Sequence, residues 1–192
     1  MLNYQSCHAR VQQIQGYDEF IRERLDRKWR GYFVNFMFRN ISGPSGNRKS
    51  VMIDEVTRVF STLITRVVRK PKSPSAKQFL PLFIGCPDLP VYKKEKELLR
   101  NVVVNDALHF NGVLVLPPKR HCRAGSDLNT GGLKRHFNQN QHLYYSDDLP
   151  LDRLHATRIT ENTMVDYALK ALKSGKIDSD DILILPRAIS EL

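Results

Sequence analysis

His109 and Asn111 are two side chains whose types and spacing could hold a metal ion. They lie two positions apart in the run 108–116, which is rich in β-branched and aromatic residues and is followed by two prolines. Such a run predicts a strand, and side chains two apart on a strand share a face. Together with a carboxylate, an imidazole nitrogen and an amide oxygen can hold a divalent cation. The alternative is a hydrogen-bonded structural histidine, and the local spacing does not decide between the two.

Tyr167 and Lys170 form a second pair, in the run 162–173, whose apolar residues recur at helical spacing. Residues three apart are neighbours on a helix, and both side chains fall outside the apolar stripe. A phenol is a weak nucleophile at neutral pH because its reference pKa is about 10, so a catalytic tyrosine needs a nearby cation. Lys170 supplies that charge, Lys173 adds more, and a metal at His109 would polarise a phosphorus under attack. The alternative is an exposed amphipathic helix whose lysines favour its C-terminus.

The surrounding pattern indicates an α+β chain with a mostly antiparallel sheet and flanking helices. Aromatic and alternating residues predict further strands at 32–38, 79–85 and 151–159. Apolar residues at helical spacing predict helices at 16–28 and 52–68. One face of the strand at 151–159 is predicted to carry Leu151, Arg153, His155, Thr157 and Ile159, and a brief further strand is predicted at 182–185.

Other segments are interpreted as connections. The segments 41–49 and 70–77 are rich in turn-forming residues and are predicted to be a loop and a linker. The segment 92–104 is predicted to be a short helix that runs into an extended piece. Asn35, the one polar residue of the strand at 32–38, is interpreted first as a structural amide that pins a neighbouring loop.

Length and composition favour one folded domain. The 192 residues are predicted to form a single domain, residues 1–192, with a core at about 30–175 and a long basic excursion at 119–145 that holds three histidines. The three cysteines are odd in number and have no metal-binding spacing, which fits a reducing, cytoplasmic location of bacterial type. The sequence lacks the apolar run of a membrane span or signal peptide, so we expect a non-secreted protein.

A strong positive charge predicts a polyanionic partner. Lys and Arg outnumber Asp and Glu by 30 to 20, which gives a formal net charge of +10. Nucleic acid is the first expectation, and a merely basic protein is the alternative. The residues expected to contact nucleic acid are Arg27, Lys28, Arg30, Lys119, Arg120, Lys134, Arg135 and Lys173.

Three motifs in this order resemble those of the HUH endonucleases, the single-strand nucleases of rolling-circle replication initiators, plasmid relaxases and some transposases. The hydrophobic run 33–38 resembles the first strand of that family, and 109–111 resembles its His-hydrophobic-His strand. The run 167–170 matches the Tyr-x-x-Lys helix. The likeness spans residues 32–173, and only the tyrosine motif is intact, because Asn111 stands where the second histidine is expected.

The resemblance implies a ferredoxin-like domain whose central strand binds Mg²⁺ or Mn²⁺ through His109 and Asn111. It implies that Tyr167 attacks a DNA phosphate, leaving a 5′-phosphotyrosyl link and a free 3′-hydroxyl. The amide at Asn111 is a weaker ligand that suits Mg²⁺ better than transition metals. Candidates for the remaining metal ligand are Asp88, Glu95 and Asp106, and Asp106 is preferred because it lies three residues before the histidine.

Two other classes of function stay open on the sequence. One is a non-catalytic nucleic-acid-binding module with the same sheet, in which Tyr32, Phe33 and Tyr144 stack on bases. The other is a structural protein without nucleic acid. For the nuclease, the expected partner is single-stranded or hairpin DNA. Unwinding would come from a host helicase, because no complete nucleotide-binding loop occurs in the sequence.

Overall fold

The structure is a computed structural model that describes residues 4–88, 108–124 and 126–187. Within these ranges, strands and longer helices alternate and short 3₁₀ turns connect several of them. The elements are α1 (Tyr4–Asp26), β1 (Arg30–Phe38), α2 (Ser45–Val67), β2 (Leu82–Asp88), β3 (Leu108–Leu116), α3 (Gly132–Gln139), α4 (Gln141–Tyr144), β4 (Leu151–Arg158), α5 (Val165–Ala168), α6 (Lys170–Lys173) and β5 (Leu183–Leu185).

The strands form one antiparallel sheet in the order β4-β1-β3-β2-β5. The succession β1-α2-β2-β3-α3-β4, with β3 between β1 and β2, is the split arrangement of a ferredoxin-like fold. The predicted α+β architecture with an antiparallel sheet and flanking helices is therefore confirmed. It places β3, which carries the predicted metal-binding pair, in the middle of the sheet.

The two faces of the sheet are covered differently. On one face, α2, α3 and α4 pack over a large apolar core. On the other face, α1, α5 and α6 pack over β2 and β3 and leave β1 and β4 more open. Phe33, Asn35 and Met37 of β1 are half-buried on this second face, and their partners Arg153 and His155 on β4 are exposed. On the second face, β2 and β3 are therefore covered by apolar helix packing, and β1 and β4 present accessible polar side chains.

Two strand predictions need correction in their details. β2 begins and ends three residues later than predicted, so that Asp88 is its last residue. Pro87 is tolerated there because β5 pairs only with residues 83–85, and the proline therefore faces no second strand. Leu151 lies in the core on the α2 face, not with His155, because the pairing of β1 with β4 shifts register between Met37 and Phe38.

Four helical segments also differ from their predictions. α1 begins at Tyr4 instead of residue 16 and ends at Asp26 instead of residue 28. α2 begins at Ser45, directly after Pro44, so the predicted loop at 41–49 is half helical. The predicted linker at 70–77 overlaps a 3₁₀ helix at Pro74–Phe79. The helix predicted at 162–173 is divided into α5 and α6 at Leu169. The segment 92–104 lies outside the described residues. Within the described ranges, each helix is too short or too polar to cross a membrane.

The segment 119–145 is better described as part of the helical layer on the α2 face than as an excursion. Its buried side chains are Cys122, Leu128, Leu133, His136, Phe137 and Tyr144. The ring of His136 lies between the Asp127 carboxylate, 2.8 Å from Nδ1, and the Tyr144 hydroxyl, 2.7 Å from Nε2. This histidine therefore has a structural role, which the basic composition of the segment did not predict.

The structure removes Arg30 from the predicted nucleic-acid surface. Its side chain is buried, and its guanidinium donates hydrogen bonds to the carbonyls of Leu128 (2.8 Å) and Pro117 (3.3 Å) and to Cys122 Sγ. Arg30 thus ties β1 to the segment that follows β3. Arginine is suited to this position because its planar group offers several donors in fixed directions.

We expect Arg30→Met to lower the free energy of unfolding by about 2–4 kcal/mol, because buried acceptors lose their donors. Urea denaturation measures this change. The matched control is Arg27→Met, since Arg27 is exposed and pairs only with Glu23. The control is expected to change stability by less than about 0.5 kcal/mol. Equal effects of the two substitutions would show that the buried hydrogen bonds of Arg30 do not stabilise the fold.

Candidate active site

Three neighbouring strands bring polar side chains together on the second face of the sheet. Asn35 on β1 lies opposite Asn111 on β3, and Asp88 on β2 lies opposite His109. Residues directly opposite in an antiparallel pair have Cβ atoms about 4.5–5.5 Å apart. Together with Tyr167 and Lys170 they form what we call the central site, whose members are Asn35, Asp88, His109, Asn111, Tyr167 and Lys170.

A chain of hydrogen bonds connects most of the central site. Asn35 Nδ2 donates to Asn111 Oδ1 at 2.5 Å, and Asn111 Nδ2 donates to Asp88 Oδ2 at 3.1 Å. Lys170 Nζ forms an ion pair with the same Asp88 oxygen at 2.7 Å. This contact raises the pKa of Lys170 above its ordinary value, so the ammonium stays charged. The buried amide of Asn111 is thus held in one orientation between a donor and an acceptor.

Tyr167 lies over the same face of the sheet. Its ring packs edge-on against Phe33, with 5.3 Å between ring centroids, and Lys170 Nζ lies 5.1 Å from its centroid. About half of the tyrosine side chain is exposed, at 51%. The predicted pairs His109 with Asn111 and Tyr167 with Lys170 therefore share one face, joined through Asp88. The break in the helix at Leu169 does not separate tyrosine from lysine.

Nδ1 of His109 is available to bind a ligand. The residue is half-buried, and its Nδ1 is buried with no hydrogen-bond partner among the described residues. Burial lowers the pKa of His109 below its ordinary value, with the charge of Lys170 adding to this effect and that of Asp88 opposing it. The imidazole is therefore neutral at pH 7, and the neutral form has a nitrogen lone pair for a metal. A buried polar atom without a partner is a frequent mark of a missing water or ion.

The residues of the central site fit Mg²⁺ or Mn²⁺. The donors are the His109 imidazole, the Asp88 carboxylate and the Asn111 amide oxygen, a mainly oxygen set that these cations accept. The preferred ligand Asp106, and also Glu95, lie outside the described residues, whereas Asp88 lies opposite the histidine. Within the described ranges, no group of three or more His, Cys, Asp and Glu side chains is close enough to hold a metal. A metal ion at the central site would accordingly need the Asn111 amide as its third ligand.

The sequence matches no protein-family model, and comparison with curated proteins and with solved structures finds no match. The likeness to the HUH endonucleases therefore rests on the residues of this chain alone. Of the three motifs, the first contributes Phe33 and Asn35, the second His109 and Asn111, and the third Tyr167 with Lys170. The strand order and the shared face are compatible with that likeness without establishing it.

The residues predicted to contact nucleic acid lie in different surroundings. Those that are exposed without an ion pair among the described residues are Lys28, Lys119, Arg120, Lys134 and Arg135. Arg27 pairs with Glu23, and Lys173 Nζ lies 2.7 Å from Asp166, which balances its charge. Of the aromatic residues suggested for stacking, Tyr32 and Tyr144 are buried, and only Phe33 is accessible at the central site.

Three residues of the second face have neighbours that the sequence pattern does not predict. Asn35 was interpreted as structural, although alternation places it on the same face of β1 as Phe33. The sequence offers Asp88 as one of three candidate ligands, behind the preferred Asp106, and only the pairing of β2 with β3 places it opposite His109. His155 lies opposite Asn35 on β4 and is exposed. Alternation in 151–159 predicts its face, but not which strand lies beside it.

We expect Lys170→Met to raise the pKa of His109. The substitution removes a positive neighbour and leaves the charge of Asp88 without its ion pair, and both changes favour the imidazolium. An NMR pH titration of the His109 ring measures the midpoint. Lys173→Met is the control, because Lys173 pairs with Asp166 and does not contribute to the His109 shift. A midpoint that does not move would contradict the contact between Asp88 and Lys170.

The direction of this shift also predicts how stability depends on pH. Because the folded protein lowers the pKa of His109, the unfolded chain binds the proton more readily. The contribution of His109 to stability is therefore fully present above the ordinary histidine pKa of about 6.5 and is lost as the pH falls below it.

Proposed function

We propose that this protein is a metal-dependent tyrosine nuclease or strand transferase that acts on single-stranded or hairpin DNA. The observation that carries the proposal is the convergence of an exposed tyrosine, a charged lysine and a neutral, half-buried histidine on one face of a ferredoxin-like sheet. The net charge of +10 supports a nucleic-acid substrate. Initiation of rolling-circle replication and transposition both use this bond chemistry, and a host helicase would supply unwinding.

In the proposed reaction, Tyr167 is the nucleophile. Its Oη forms a bond to phosphorus while the bond from phosphorus to the 3′ oxygen breaks. The phenol proton passes to solvent, and the leaving 3′ oxygen takes up a proton. The product is a 5′-phosphotyrosyl link and a free 3′-hydroxyl. The reverse reaction, with the 3′-hydroxyl of another strand as nucleophile, transfers the DNA and releases the tyrosine.

The residues around Tyr167 have distinct roles in this proposal. The ammonium of Lys170, held by Asp88, stabilises negative charge on the phenol oxygen and on the attacked phosphate. Asn35 orients the amide of Asn111 by donating a hydrogen bond to its Oδ1. When bound by Asp88, His109 and Asn111, Mg²⁺ or Mn²⁺ would neutralise charge on the scissile phosphate and polarise the phosphorus.

The test is covalent trapping with a pool of single-stranded oligonucleotides and Mn²⁺. The chemistry leaves the 3′ portion of the strand on the protein, so 3′-labelled DNA is expected to give a labelled band on a denaturing gel. The same pool labelled at the 5′ end is expected to give only a shortened free strand. A band with 5′-labelled DNA alone would contradict the polarity of the reaction, and no band with either label would contradict the nuclease.

A non-catalytic DNA-binding module is the second candidate. Two observations favour it. The Asp88 carboxylate is already paired with Lys170, and an amide replaces the second histidine of the HUH motif. Both features weaken metal binding. This alternative predicts salt-sensitive DNA binding and no covalent band in the same experiment.

A further inference from the structure

A basic cleft of about 410 Å³ lies at the β4 edge of the sheet, outside the central site. The first turn of α3 forms one wall, and the ends of β1 and β4 form another. The polar residues that line it are Arg30, Tyr32, Lys119, Thr130, Lys134, Thr157 and Arg158. No aspartate or glutamate is among its lining residues.

The charges in this cleft are available to a ligand. Lys119, Lys134 and Arg158 are exposed, and none of them forms an ion pair with another described residue. The Arg158 guanidinium lies 5.6 Å from the centroid of the buried Tyr32 ring, which supports the side chain from below. Arg30 also lines the cleft but is occupied by carbonyl acceptors. Three free cations beside threonine hydroxyls are suited to phosphate oxygens.

The cleft and the central site lie on opposite faces of the sheet, near its β4 edge. Tyr32 and Ala156, which line the cleft, belong to the core on the α2 face. Phe33, the next residue of β1, lies on the second face and contacts the ring of Tyr167. Because β4 is the edge strand beside β1, a DNA strand that passes around this edge would contact the cleft on one face and Tyr167 on the other.

We propose that this cleft binds a backbone phosphate of the same DNA strand whose scissile phosphate lies at Tyr167. The proposal rests on the proposed action on DNA and adds a second anchoring point to it. Arg158 contributes a planar donor group, and Lys119 and Lys134 contribute point charges. Because phosphate contacts position a strand without reading its sequence, the cleft sets the distance between the anchored and the cleaved phosphate.

The experiment compares two double variants that remove the same charge. Both are made in the Tyr167→Phe protein without metal, so that cleavage does not interfere. One variant is Lys119→Ala with Lys134→Ala. Its control is Lys70→Ala with Lys72→Ala, two exposed lysines in the turn after α2 that do not line the cleft. Fluorescence anisotropy with a labelled single-stranded oligonucleotide measures the affinity across a salt series, and circular dichroism checks that both variants fold.

The cleft variant is expected to bind DNA at least about 10-fold more weakly, with the slope of log K against log salt reduced by about 1.4 for two lost phosphate contacts. The control is expected to change affinity less than about twofold, because its lysines are outside the contact. Equal losses of DNA affinity in the two variants would show that net charge alone causes the effect, and would overturn the proposal. Unchanged DNA affinity, with inorganic phosphate still perturbing cleft resonances in NMR, would assign the cleft to free phosphate and also overturn it.

These outcomes are independent of the reaction at Tyr167. If the protein binds DNA through the cleft but forms no covalent adduct, the proposed phosphate site stands and the proposed nuclease activity fails. If the protein forms the adduct and the two double variants bind DNA equally, the proposed nuclease activity stands and the proposed phosphate site fails.

Discussion

Tyr167→Phe abolishes covalent attachment to DNA in the proposed mechanism, lowering the rate of adduct formation by at least about 1,000-fold. Phenylalanine keeps the ring that packs against Phe33 and under Lys170, so the substitution removes one oxygen atom. The side chain is half exposed, so its hydroxyl is not needed for folding. DNA affinity is therefore expected to stay within about twofold of the parent protein, because phosphate contacts dominate binding. Denaturing gels with 3′-labelled DNA and anisotropy measure the two quantities separately.

Tyr17→Phe is the matched control for this substitution. It also removes one phenol hydroxyl, which accepts a hydrogen bond from Gln13 on α1. Adduct formation by this variant is expected to equal that of the parent. If Tyr167→Phe still forms the adduct at the parental rate, another residue is the nucleophile. If it loses DNA affinity as strongly as adduct formation, Tyr167 is a binding residue and the second candidate function is favoured.

His109→Ala is the second change with a large expected effect. It removes the only imidazole of the central site, and we expect Mn²⁺ affinity to fall at least about 100-fold, with adduct formation lost as well. Stability is expected to change little, because the buried Nδ1 has no hydrogen bond to lose among the described residues. Electron paramagnetic resonance of free Mn²⁺ measures affinity, and thermal unfolding measures stability.

His142→Ala is the control for loss of an imidazole elsewhere, since His142 is exposed on α4. It is expected to bind Mn²⁺ as the parent does. Unchanged Mn²⁺ affinity in His109→Ala would place the metal away from β3. A marked loss of stability instead would show that the histidine is structural, which was the alternative open on the sequence.

Local patterns predicted the parts of the site that depend on neighbours in the chain. The strand with His109 and Asn111 is found as predicted because apolar residues, including Val113 and Val115, make up most of it and two prolines follow it. Tyr167 and Lys170 remain adjacent although the helix breaks at Leu169, because a separation of three residues survives in two consecutive single turns. In both cases the information lies within one turn or one strand.

Contacts between distant segments were not predictable in the same way. The position of Asp88 opposite His109 depends on the register of β2 against β3, which a sequence pattern does not specify. Arg30 resembles its basic neighbours in sequence, but its acceptors are 87 and 98 residues further along the chain. The burial of Tyr32 and Tyr144 likewise depends on how α2 and the segment 119–145 cover the sheet.

The most direct test of the central site is to locate the DNA on the protein. After trapping with Mn²⁺, nuclease and trypsin digestion leaves a tyrosine bearing a residual nucleotide, and mass spectrometry identifies the peptide. Trypsin releases residues 159–170 as one peptide, in which Tyr167 is the only tyrosine. The proposed mechanism predicts the nucleotide on this peptide and on Tyr167. A nucleotide on any other tyrosine, or recovery of this peptide only in unmodified form from a trapped complex, would contradict it.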